Sequence, residues 1–594
     1  MTSPLADVSL HLVESIDDAM ALKRWLGERR DGVVAFDTES GGLSPWKTDL
    51  RMVQFGDKRT GWAVPWERWG GVALEIFRSY EGEWAAHNGI HDWKFLSVKA
   101  GYDVPWERMH DTLTMARIDD PSRANGLKPL GSSLIDRRAV AGQKALDEGM
   151  KANRWTWATV PINYPPYWIY SALDPVITAH LYDHLAPRVM SSAPEAYDLE
   201  RAANRICTKM MMKGMQLDVP YIERAIATYE ETSGKIREWL TKAHQITSPV
   251  AAGQIRRAFE RIGQESLFWT GTGQPQYTKE TLGFYRDHGQ NEAVKQLAKY
   301  LLAVRKADKF PRDYLHKFLD LRDAGDILRM SINVMGAAAT SRMSVSEPPL
   351  QQLSRDETTI RGSFVPREGL VLISCDLDQI ELRMIADASA DEGLIRAIHE
   401  ADATGSNVFL IIGREMYGEP ISKKDPRYTQ LKAFVYARAY GAGPETLAET
   451  AGIPAETVAM IEGLFNKNFP GMRSLADRLL AAAMAMKRDG QRPGVWLKSG
   501  RFLPLKPGKE YAGLNYATQG PAAEYMKRAL INIDASGLGD NLLLPIHDEA
   551  LLEVPKEDAE EALKIVEECM TDRDGYAVPL TAGGSILPER WVKT

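Results

Sequence analysis

The stretch "LVLISCDLDQIELRM", residues 370–384, joins an apolar segment directly to three acidic residues. Its first part predicts a buried strand that carries Asp376 at its end, and a helix is predicted from about residue 379. Asp376, Asp378 and Glu381 lie within six positions, and a buried strand does not end in so much negative charge without a partner. We expect Asp378 to be the N-cap of the helix, with an extra charge near a metal as the alternative.

A second apolar segment supplies a candidate partner for Asp376. Residues 542–554, "LLLPIHDEALLEV", predict two strands joined by a tight turn that carries Asp548 and Glu549. If both segments lie in one sheet, Asp376 and Asp548 come together as a pair that can hold hard cations such as Mg²⁺. His547 in the same turn is a candidate functional imidazole, although a histidine beside a turn more often has a structural role.

Residues 432–441, "KAFVYARAYG", predict a helix with a lysine and two tyrosines on one face. Lys432, Tyr436 and Tyr440 stand at positions i, i+4 and i+8. A lysine one turn from an aromatic ring suits a triphosphate with a base or sugar beside it. An amphipathic helix with its tyrosines in the core explains the pattern equally well.

The N-terminal region carries a second set of acids. In "FDTES" (36–40), Asp37 and Glu39 stand two apart on a predicted strand, so both side chains point to the same face. "HNGIHDWKFL" adds Asp92, and "YWIYSALDP" adds Tyr170 and Asp174. A cap or a core position would explain each residue alone. The set as a whole matches two-metal hydrolysis of a phosphodiester.

One local feature affects this second set. Asp174 precedes Pro175, and a residue before proline avoids the α conformation. We therefore expect Asp174 to be an N-cap with Pro175 at the first helical position. This would interrupt the helical conformation between Tyr170 and Asp174.

The length, composition and net charge of the chain exclude several classes of protein. At 594 residues the chain is long enough for about three to five units, and 44% hydrophobic with 26% charged residues is ordinary for a globular protein. Three scattered cysteines argue against a zinc site or a disulfide framework and favour a reducing compartment. No signal peptide or membrane span is apparent, so we expect a cytoplasmic location. With a net charge of −7, any nucleic acid would need a local basic surface.

The patterning divides the chain into two regions. Strand and helix patterns alternate over the first 190 or so residues, which predicts an α/β unit. Residues 190–330 are predominantly helical. Strand character then returns on either side of a helical stretch, roughly 390–490, so we expect one sheet interrupted by a subdomain.

"FDTES", "HNGIHD" and "YSALD" resemble the three motifs of the DEDD-type 3′–5′ exonucleases of the tyrosine subtype. The resemblance implies a ribonuclease H-like domain over residues 1–190, with two divalent ions (Mg²⁺, Mn²⁺ or Zn²⁺). It implies that Tyr170 orients the attacking water. It also implies four metal ligands: Asp37, Glu39, Asp92 and Asp174.

The three C-terminal stretches resemble motifs A, B and C of the A-family DNA polymerases, the group of bacterial DNA polymerase I and several phage replicases. "ATSRMSVSEPPLQQL" and "LNYATQGPAAEYMKRALI" also fall in that family's order. The resemblance implies a right-hand polymerase over residues 191–594 with an antiparallel palm sheet. Its subdomains would be the thumb (about 205–330), the palm (about 331–395 and 516–594) and the fingers (about 396–515). The expected partners are primed DNA and deoxynucleoside triphosphates; we expect a monomer, with replisome proteins as further candidates.

Roles are carried over by position. Asp376 and Asp548 would hold two Mg²⁺ ions, Lys432 would serve the triphosphate, and Glu381 would exclude a 2′-hydroxyl from the sugar pocket. Nucleotide contacts are implied for Gln379, Glu381, Tyr436, Tyr440 and Arg427. DNA contacts are implied for Arg342, Gln519, Asn515, Lys498 and Arg501, the last two as part of a basic run that tracks phosphates.

Some positions depart from the family pattern. Tyr428 stands where an arginine is common, and Arg427 is displaced from it by about 100° around a helix. Tyr436 stands where many bacterial members have phenylalanine, which predicts ready incorporation of dideoxynucleotides. Ser341 replaces a common glycine. No 5′-nuclease domain precedes the exonuclease motifs, which suggests a phage enzyme acting in the host cytoplasm.

Two other functions fit parts of the sequence. The first is a 3′–5′ exonuclease whose C-terminal half only binds DNA, and the second is a relative of the single-subunit RNA polymerases. Intact Asp376, Asp548 and Lys432 argue against the first, and the exonuclease motifs argue against the second. We therefore predict a proofreading DNA polymerase that lacks a 5′ nuclease and serves phage DNA replication.

Overall fold

The computed structural model describes residues 4–30, 32–337, 339–353, 357–439, 443, 448 and 454–592. Its N-terminal unit contains a mixed sheet built from β1 Ser9–Leu12, β2 Val33–Ser40, β3 Leu50–Gly56, β4 Thr60–Pro65, β5 Glu83–Ala86 and β6 Met109–Asp111. The strand order is β1-β4-β3-β2-β5-β6, with β2 antiparallel to β3 and parallel to β5. The strand patterns expected within the first 190 or so residues are therefore confirmed.

Helices pack around this sheet and complete the expected α/β unit. They are α1 Ile16–Gly27, α2 Trp66–Ser79, α3 Ile90–Ala100, α4 Thr112–Asp119, α5 Leu127–Leu134, α6 Ala141–Asn153 and α7 Pro165–Ser192. The apolar side chains of β2 and β3, such as Phe36 and Phe55, are completely buried against α2 residues such as Phe77.

Helix α7 runs through Pro175 without interruption. The predicted N-cap at Asp174 and the predicted interruption of the helix before it are therefore wrong. Pro175 removes one N–H, and the carbonyl of Ser171 thereby loses its helical hydrogen bond. Tight packing against the sheet holds the helix together at this point. A Cβ added to Gly56 would lie 3.0 Å from Cβ of Pro175, so only glycine lets the two elements approach this closely. Tyr170 and Asp174 consequently share one helix face.

A helical region follows, as expected for residues 190–330. It comprises α8 Pro194–Lys213, α9 Val219–His244, α10 Ala252–Arg261, α11 Lys279–His288, α12 Glu292–Phe310 and α13 His316–Leu321. Short strands border it: β7 Met215–Leu217, β8 Ile327–Leu328, β9 Ser331–Ala337 and β10 Arg342–Ser346. The outer helices α10 to α12 enclose a separate apolar core around Phe259 and Leu297.

The second large sheet has the order β15-β16-β12-β17 and is antiparallel throughout. Its strands are β12 Leu370–Leu377, β15 Leu542–Ile546, β16 Glu549–Pro555 and β17 Ala582–Leu587; α14 Thr358–Arg361 and β11 Phe364–Val365 precede it. Near the C-terminus, the helix Ala559–Cys569 (α22) packs on this sheet. Since β12 and β16 are neighbours although about 170 residues separate them, the expectation of one sheet interrupted by a subdomain is confirmed.

The interrupting subdomain is mostly helical. It contains α15 Ile380–Ser389, α16 Glu392–Thr404, α17 Val408–Tyr417, α18 Pro426–Ala439, α19 Ala455–Asn468, α20 Pro470–Arg488, the hairpin of β13 Gly494–Trp496 and β14 Phe502–Pro504, and α21 Gly513–Ile533. Its core around Phe409, Phe434 and Phe469 is distinct from the core beneath the sheet. Across the described ranges, no helix is both long and apolar enough to cross a membrane.

The predicted N-cap at Asp378 is wrong. Helix α15 begins at Ile380, and the preceding Gln379 has a left-handed backbone (φ 49°) with no side-chain cap. Asp378 instead pairs with Thr581: its N–H donates to the Thr581 carbonyl at 2.8 Å, and its carboxylate accepts from the Thr581 hydroxyl at 3.1 Å. These bonds continue the β12–β17 pairing for one more residue and thereby hold Asp378 outside the helix.

Candidate active sites

The N-terminal unit gathers three carboxylates into one cluster. Asp37 and Glu39 project from β2, and Asp174 projects from α7; one oxygen of each lies within 4.8 Å of the others. Thr38, between Asp37 and Glu39 in β2, donates its hydroxyl to Asp92 Oδ1 at 2.6 Å and ties α3 to β2. The four acids expected to act together therefore belong to one region of the fold.

Burial and mutual repulsion make these acids hard to ionise. Burial, followed by the charge of Asp174, raises the pKa of Glu39 to about 8. Burial also raises the pKa of Asp92 to about 7, although the hydrogen bond from Thr38 opposes the shift. The pKa of Asp37 is well above its ordinary value because of burial and then the charges of Asp92, Asp174 and Glu39. A cation among them would remove this penalty.

The structure adds a lysine that sequence reasoning missed. Lys128 on α5 forms an ion pair with Asp174, and its ammonium lies 4.0 Å from the centre of the Tyr170 ring. Ser171, also unforeseen, donates its hydroxyl to Glu39 Oε1 at 3.0 Å. No sequence signal marks Lys128, because "GLKPLG" resembles an ordinary amphipathic turn. Burial, followed by the charge of Asp174, raises the pKa of the Tyr170 hydroxyl above its ordinary value.

Strand pairing builds the second site. Asp376 pairs with Glu549 across β12 and β16, and the Leu377 N–H donates to the Asp548 carbonyl at 2.9 Å. Asp376 and Asp548 thus lie at the same end of the sheet. Asp548 lines a cavity of about 350 Å³. Other residues on its wall include Arg342, Gln379, Glu381, Tyr436 and His547.

Glu549 lies in the sheet rather than at the tip of the turn. Its carboxylate pairs with Arg361 at 3.1 Å and accepts hydrogen bonds from Ser374 and Trp591. Burial alone raises the pKa of Glu549, but Arg361 and these hydrogen bonds bring it below its ordinary value. The Glu549 charge therefore already has a partner beneath the site.

His547 combines a wall position with a structural contact. It has a left-handed backbone (φ 53°) in the two-residue turn between β15 and β16. Its Nε2 lies 2.8 Å from the Gln351 carbonyl, which can only accept, so Nε2 carries the proton. The contact fixes the imidazole on the cavity wall.

The remaining wall residues form an ion pair and an aromatic side. Arg342, at the start of β10, pairs with Glu381 on the first turn of α15. Gln379 contributes a buried Oε1 with no hydrogen-bond partner among the described residues. Tyr436 packs against Phe409 with 5.6 Å between the ring centres. Lys432, one turn earlier on α18, is exposed. Tyr440 lies outside the described residues.

The structure holds two of the predicted basic residues away from this cavity. Arg427 forms ion pairs with Asp425 at 2.8 Å and Glu419 at 2.7 Å, so both neighbours already neutralise its charge. Arg501 is 1% exposed and pairs with Glu200 and Glu524. The prediction that Arg501 tracks DNA phosphates is therefore wrong, because the residue precedes β14 and points into the protein rather than into a solvated loop.

The other expected DNA contacts occupy different environments. Lys498 is exposed, with its ammonium 3.5 Å from the Asp387 carboxylate. Asn515 and Gln519 lie one turn apart on α21, where Gln519 is 6% exposed. The Asn515 Oδ1 is buried and has no hydrogen-bond partner within the described ranges.

Comparison with known proteins identifies both regions. Residues 221–592 match DNA polymerase family A, and residues 13–190 match a 3′–5′ exonuclease family. The chain is 28% identical over 590 residues to the DNA polymerase of Mycobacterium phage D29, covering 96% of this chain and 94% of the relative. The DNA polymerase of Mycobacterium phage L5 is 27% identical over 593 residues, with the same coverage.

Among solved structures, the fold is similar to the polymerase domain of Pol1 from M. smegmatis in complex with a DNA primer-template and dNTP. The TM-score is 0.77 at 22% sequence identity, and the match covers 98% of this chain and 99% of that one. At this identity, the likeness concerns the fold.

Proposed function

This chain belongs to DNA polymerase family A and carries a 3′–5′ exonuclease domain, and from that premise we propose that it extends primed DNA with deoxynucleotides and proofreads the product. The observation that carries the proposal is the meeting of Asp376 and Asp548 at one end of the antiparallel sheet, beside a cavity of about 350 Å³. The alternative of an exonuclease with a non-catalytic second half is not favoured, because the polymerase family match spans that half.

The donors at both sites suit hard divalent cations, which both families use. Every ligand atom offered is a carboxylate oxygen, the type that Mg²⁺ prefers. We propose Mg²⁺ at the polymerase site and Mg²⁺, Mn²⁺ or Zn²⁺ at the exonuclease site. Asp376 and Asp548 would hold two ions at the first, and at the second the ligands would be Asp37, Glu39, Asp92 and Asp174. When bound, such ions lower the pKa of the attacking hydroxyl or water and stabilise charge on the leaving oxygen.

The chain's own residues would supply binding and proton transfer during synthesis. Lys432 would neutralise the triphosphate and give a proton to the departing pyrophosphate. Glu381 and Tyr436, both on the cavity wall, would contact the sugar, while the Gln379 amide, whose Oε1 is buried, would meet the nucleotide. Arg427 is a weaker candidate, because Asp425 and Glu419 already hold it.

For the exonuclease reaction, Tyr170 is positioned to orient the attacking water. It shares a face of α7 with Asp174, and the Lys128 ammonium lies against its ring. Because its raised pKa keeps the hydroxyl protonated, Tyr170 would act as a hydrogen-bonding group rather than as a base.

DNA contacts are proposed for four residues. Arg342, Asn515 and Gln519 would meet the minor-groove side of the primer–template, where acceptor positions vary little with sequence. Lys498 would contact a backbone phosphate. The M. smegmatis structure, solved with a DNA primer-template and dNTP, supports these substrates. We propose that residues 1–190 form the exonuclease domain and residues 191–594 the polymerase domain, and that the protein acts as a monomer in phage replication.

Replacing Glu381 by alanine is expected to lower the preference for deoxynucleotides over ribonucleotides by about 100-fold, because the vacated space admits a 2′-hydroxyl. Single-turnover incorporation of each nucleotide measures the ratio. Glu392→Ala, which removes an exposed carboxylate on α16, is the matched control and should leave the ratio unchanged. An unaltered ratio in Glu381→Ala would refute the assigned role.

Replacing Tyr436 by phenylalanine is expected to reduce dideoxynucleotide incorporation by about tenfold relative to deoxynucleotides. The phenol hydroxyl would otherwise substitute for the missing 3′-hydroxyl, and one hydrogen bond contributes about this factor. Competition between the two nucleotides on one template gives the ratio. Tyr417→Phe removes a phenol elsewhere in the same subdomain and should have no effect; an equal shift in both variants would count against the prediction.

Primer extension tests the proposed function. With a labelled primer on a longer template, four deoxynucleotides and Mg²⁺, the labelled strand should lengthen to the template end. Without nucleotides, it should shorten from its 3′ end. Shortening under both conditions would support the exonuclease-only alternative.

A further inference from the structure

A group of charged side chains is buried where helices α8 and α21 pack together. Glu200 on α8 and Lys527 on α21 have side chains with 0% exposure, and their ion pair measures 2.6 Å. Arg501 also pairs with Glu200 at 2.5 Å and with Glu524 at 3.0 Å. Two acids and two cations make the group electrically neutral.

This group is not optimised for stability alone. Glu200 Oε2 and Arg501 Nη1 are buried and have no hydrogen-bond partner among the described residues. A buried ionic group with unpartnered atoms contributes less to stability than apolar side chains of similar volume would. Its arrangement therefore has to be explained by what it holds in place.

The group holds Ser341 in an unfavourable backbone conformation. Ser341 is 1% exposed and has φ of +59°, a region that side chains other than glycine avoid. Its hydroxyl donates to Glu200 Oε1 at 3.1 Å. The Lys527 ammonium donates to the Ser341 carbonyl at 2.8 Å and lies 3.1 Å from its hydroxyl oxygen. The next residue is Arg342, on the cavity wall.

The same helix α8 also contacts the exonuclease region. The Asp111 N–H donates to the Tyr197 hydroxyl at 3.3 Å, and Asn204 donates to the Thr114 hydroxyl at 3.0 Å. Asp111 in turn accepts from the Gly89 N–H at 3.0 Å, directly before the helix that carries Asp92. One helix therefore touches the supports of both sites.

We propose that Glu200, acting with Lys527 through Ser341, is a positioning residue for Arg342 and sets how the primer end divides between synthesis and degradation. The inference rests on the proposed minor-groove role of Arg342. A primer end that Arg342 holds less firmly spends more time away from the polymerase site. Mass action then favours its binding and degradation at the exonuclease site.

Two substitutions at Ser341 distinguish an effect of its backbone position from an effect of its side-chain packing. Ser341→Ala removes the hydroxyl but keeps the Cβ at positive φ, whereas Ser341→Gly removes both and relieves the strain. We expect Ser341→Ala and Glu200→Gln to raise the KM for primer–template about tenfold, with a smaller change in kcat, and to raise the ratio of degradation to synthesis. Ser341→Gly should remain close to the wild type.

A modified primer shows whether Glu200 acts through Arg342. A terminal 3-deazaadenine lacks the minor-groove acceptor N3. The wild type should lose about tenfold in extension on this primer. Ser341→Ala and Glu200→Gln should extend the modified primer almost as fast as they extend the normal primer, because their contact between Arg342 and the minor groove is already impaired. The matched control is Glu553→Gln, which breaks a buried ion pair with Arg367 (2.5 Å) towards the far end of β16. Like the wild type, this variant should extend the modified primer about tenfold more slowly than the normal primer.

The outcomes distinguish the possible failures. A wild type that is insensitive to 3-deazaadenine would overturn the role of Arg342 and the present proposal together. A sensitive wild type with variants that lose the same further factor would overturn only the positioning role of Glu200. If Glu200→Gln does not fold, as judged by its melting temperature, the two Ser341 variants decide the question, and equal behaviour of both would refute the proposal.

Discussion

Replacing Asp376 by asparagine is expected to slow primer extension by about 10³-fold or more while 3′–5′ degradation stays within about twofold of the wild type. Asparagine keeps the size of the side chain and removes the charge that would hold a divalent ion. Asp376 is 7% exposed at the end of β12, so solvent cannot easily replace the missing ligand. Single-turnover extension of a labelled primer in Mg²⁺ measures the loss.

The same stretch supplies the matched control. Asp378 is exposed and hydrogen-bonded to Thr581, so Asp378→Asn should retain extension within about threefold. A loss of 10³-fold in Asp378→Asn with little loss in Asp376→Asn would reverse the assignment of the metal ligand. Equal losses in both would indicate that the total negative charge matters rather than one ligand.

Replacing Asp37 by asparagine is expected to slow 3′–5′ degradation by about 10³-fold. The same substitution is expected to raise the free energy of unfolding of the metal-free protein at pH 8 by about 2 kcal/mol. Asp37, Glu39 and Asp174 lie within 4.8 Å of one another, so one charge fewer relieves the other two. For a domain of this size the gain corresponds to a rise in melting temperature of about 4–8 °C. Asp49→Asn, which removes an exposed carboxylate paired with Lys99, is the control and should show neither effect.

The pH dependence of stability follows from the same acids. Glu39 has a pKa of about 8 and Asp92 of about 7 in the folded chain, both above their ordinary values because of burial. The folded state therefore binds more protons than the unfolded state. The contribution of Glu39 and Asp92 to the stability of the metal-free exonuclease domain is expected to be fully present at about pH 4 and to decline as pH rises to about 8.

Thermal melting in a chelator across this pH range checks the prediction, and added Mg²⁺ should restore most stability at the alkaline end. In Asp37→Asn the decline should be shallower. A melting temperature in the chelator that depends on pH identically in the wild type and in Asp37→Asn would contradict the assigned repulsion.

The sequence predicted those parts of the two sites that depend on strand periodicity and strand ends. Asp37 and Glu39 stand two apart on a strand, so a shared face follows from the pleat alone. Asp376 and Asp548 each end or follow an apolar segment, and pairing of β12 with β16 brings them to one end of the sheet. Both inferences need only local geometry and one sheet.

Other features depended on packing that local rules do not describe. Pro175 was expected to begin a helix, but close contact with Gly56 holds α7 together through the proline. Arg501 was read as part of a solvated basic run, whereas Glu200, 301 residues away, buries it. Lys128 is 46 residues from Asp174 and has no motif of its own. Contacts over such separations leave no periodic trace in the sequence.

The central claim is that one chain carries two separate metal-dependent sites, one for synthesis and one for degradation. Its most direct test uses a labelled primer with a mispaired 3′ end, all four deoxynucleotides and Mg²⁺, with Asp376→Asn and Asp37→Asn assayed singly and mixed. We predict that Asp376→Asn only shortens the primer and that Asp37→Asn leaves the mispair in place. The mixture should yield full-length product with the mispair removed. Loss of both activities in either single variant, or failure of the mixture to make corrected product, would contradict the account.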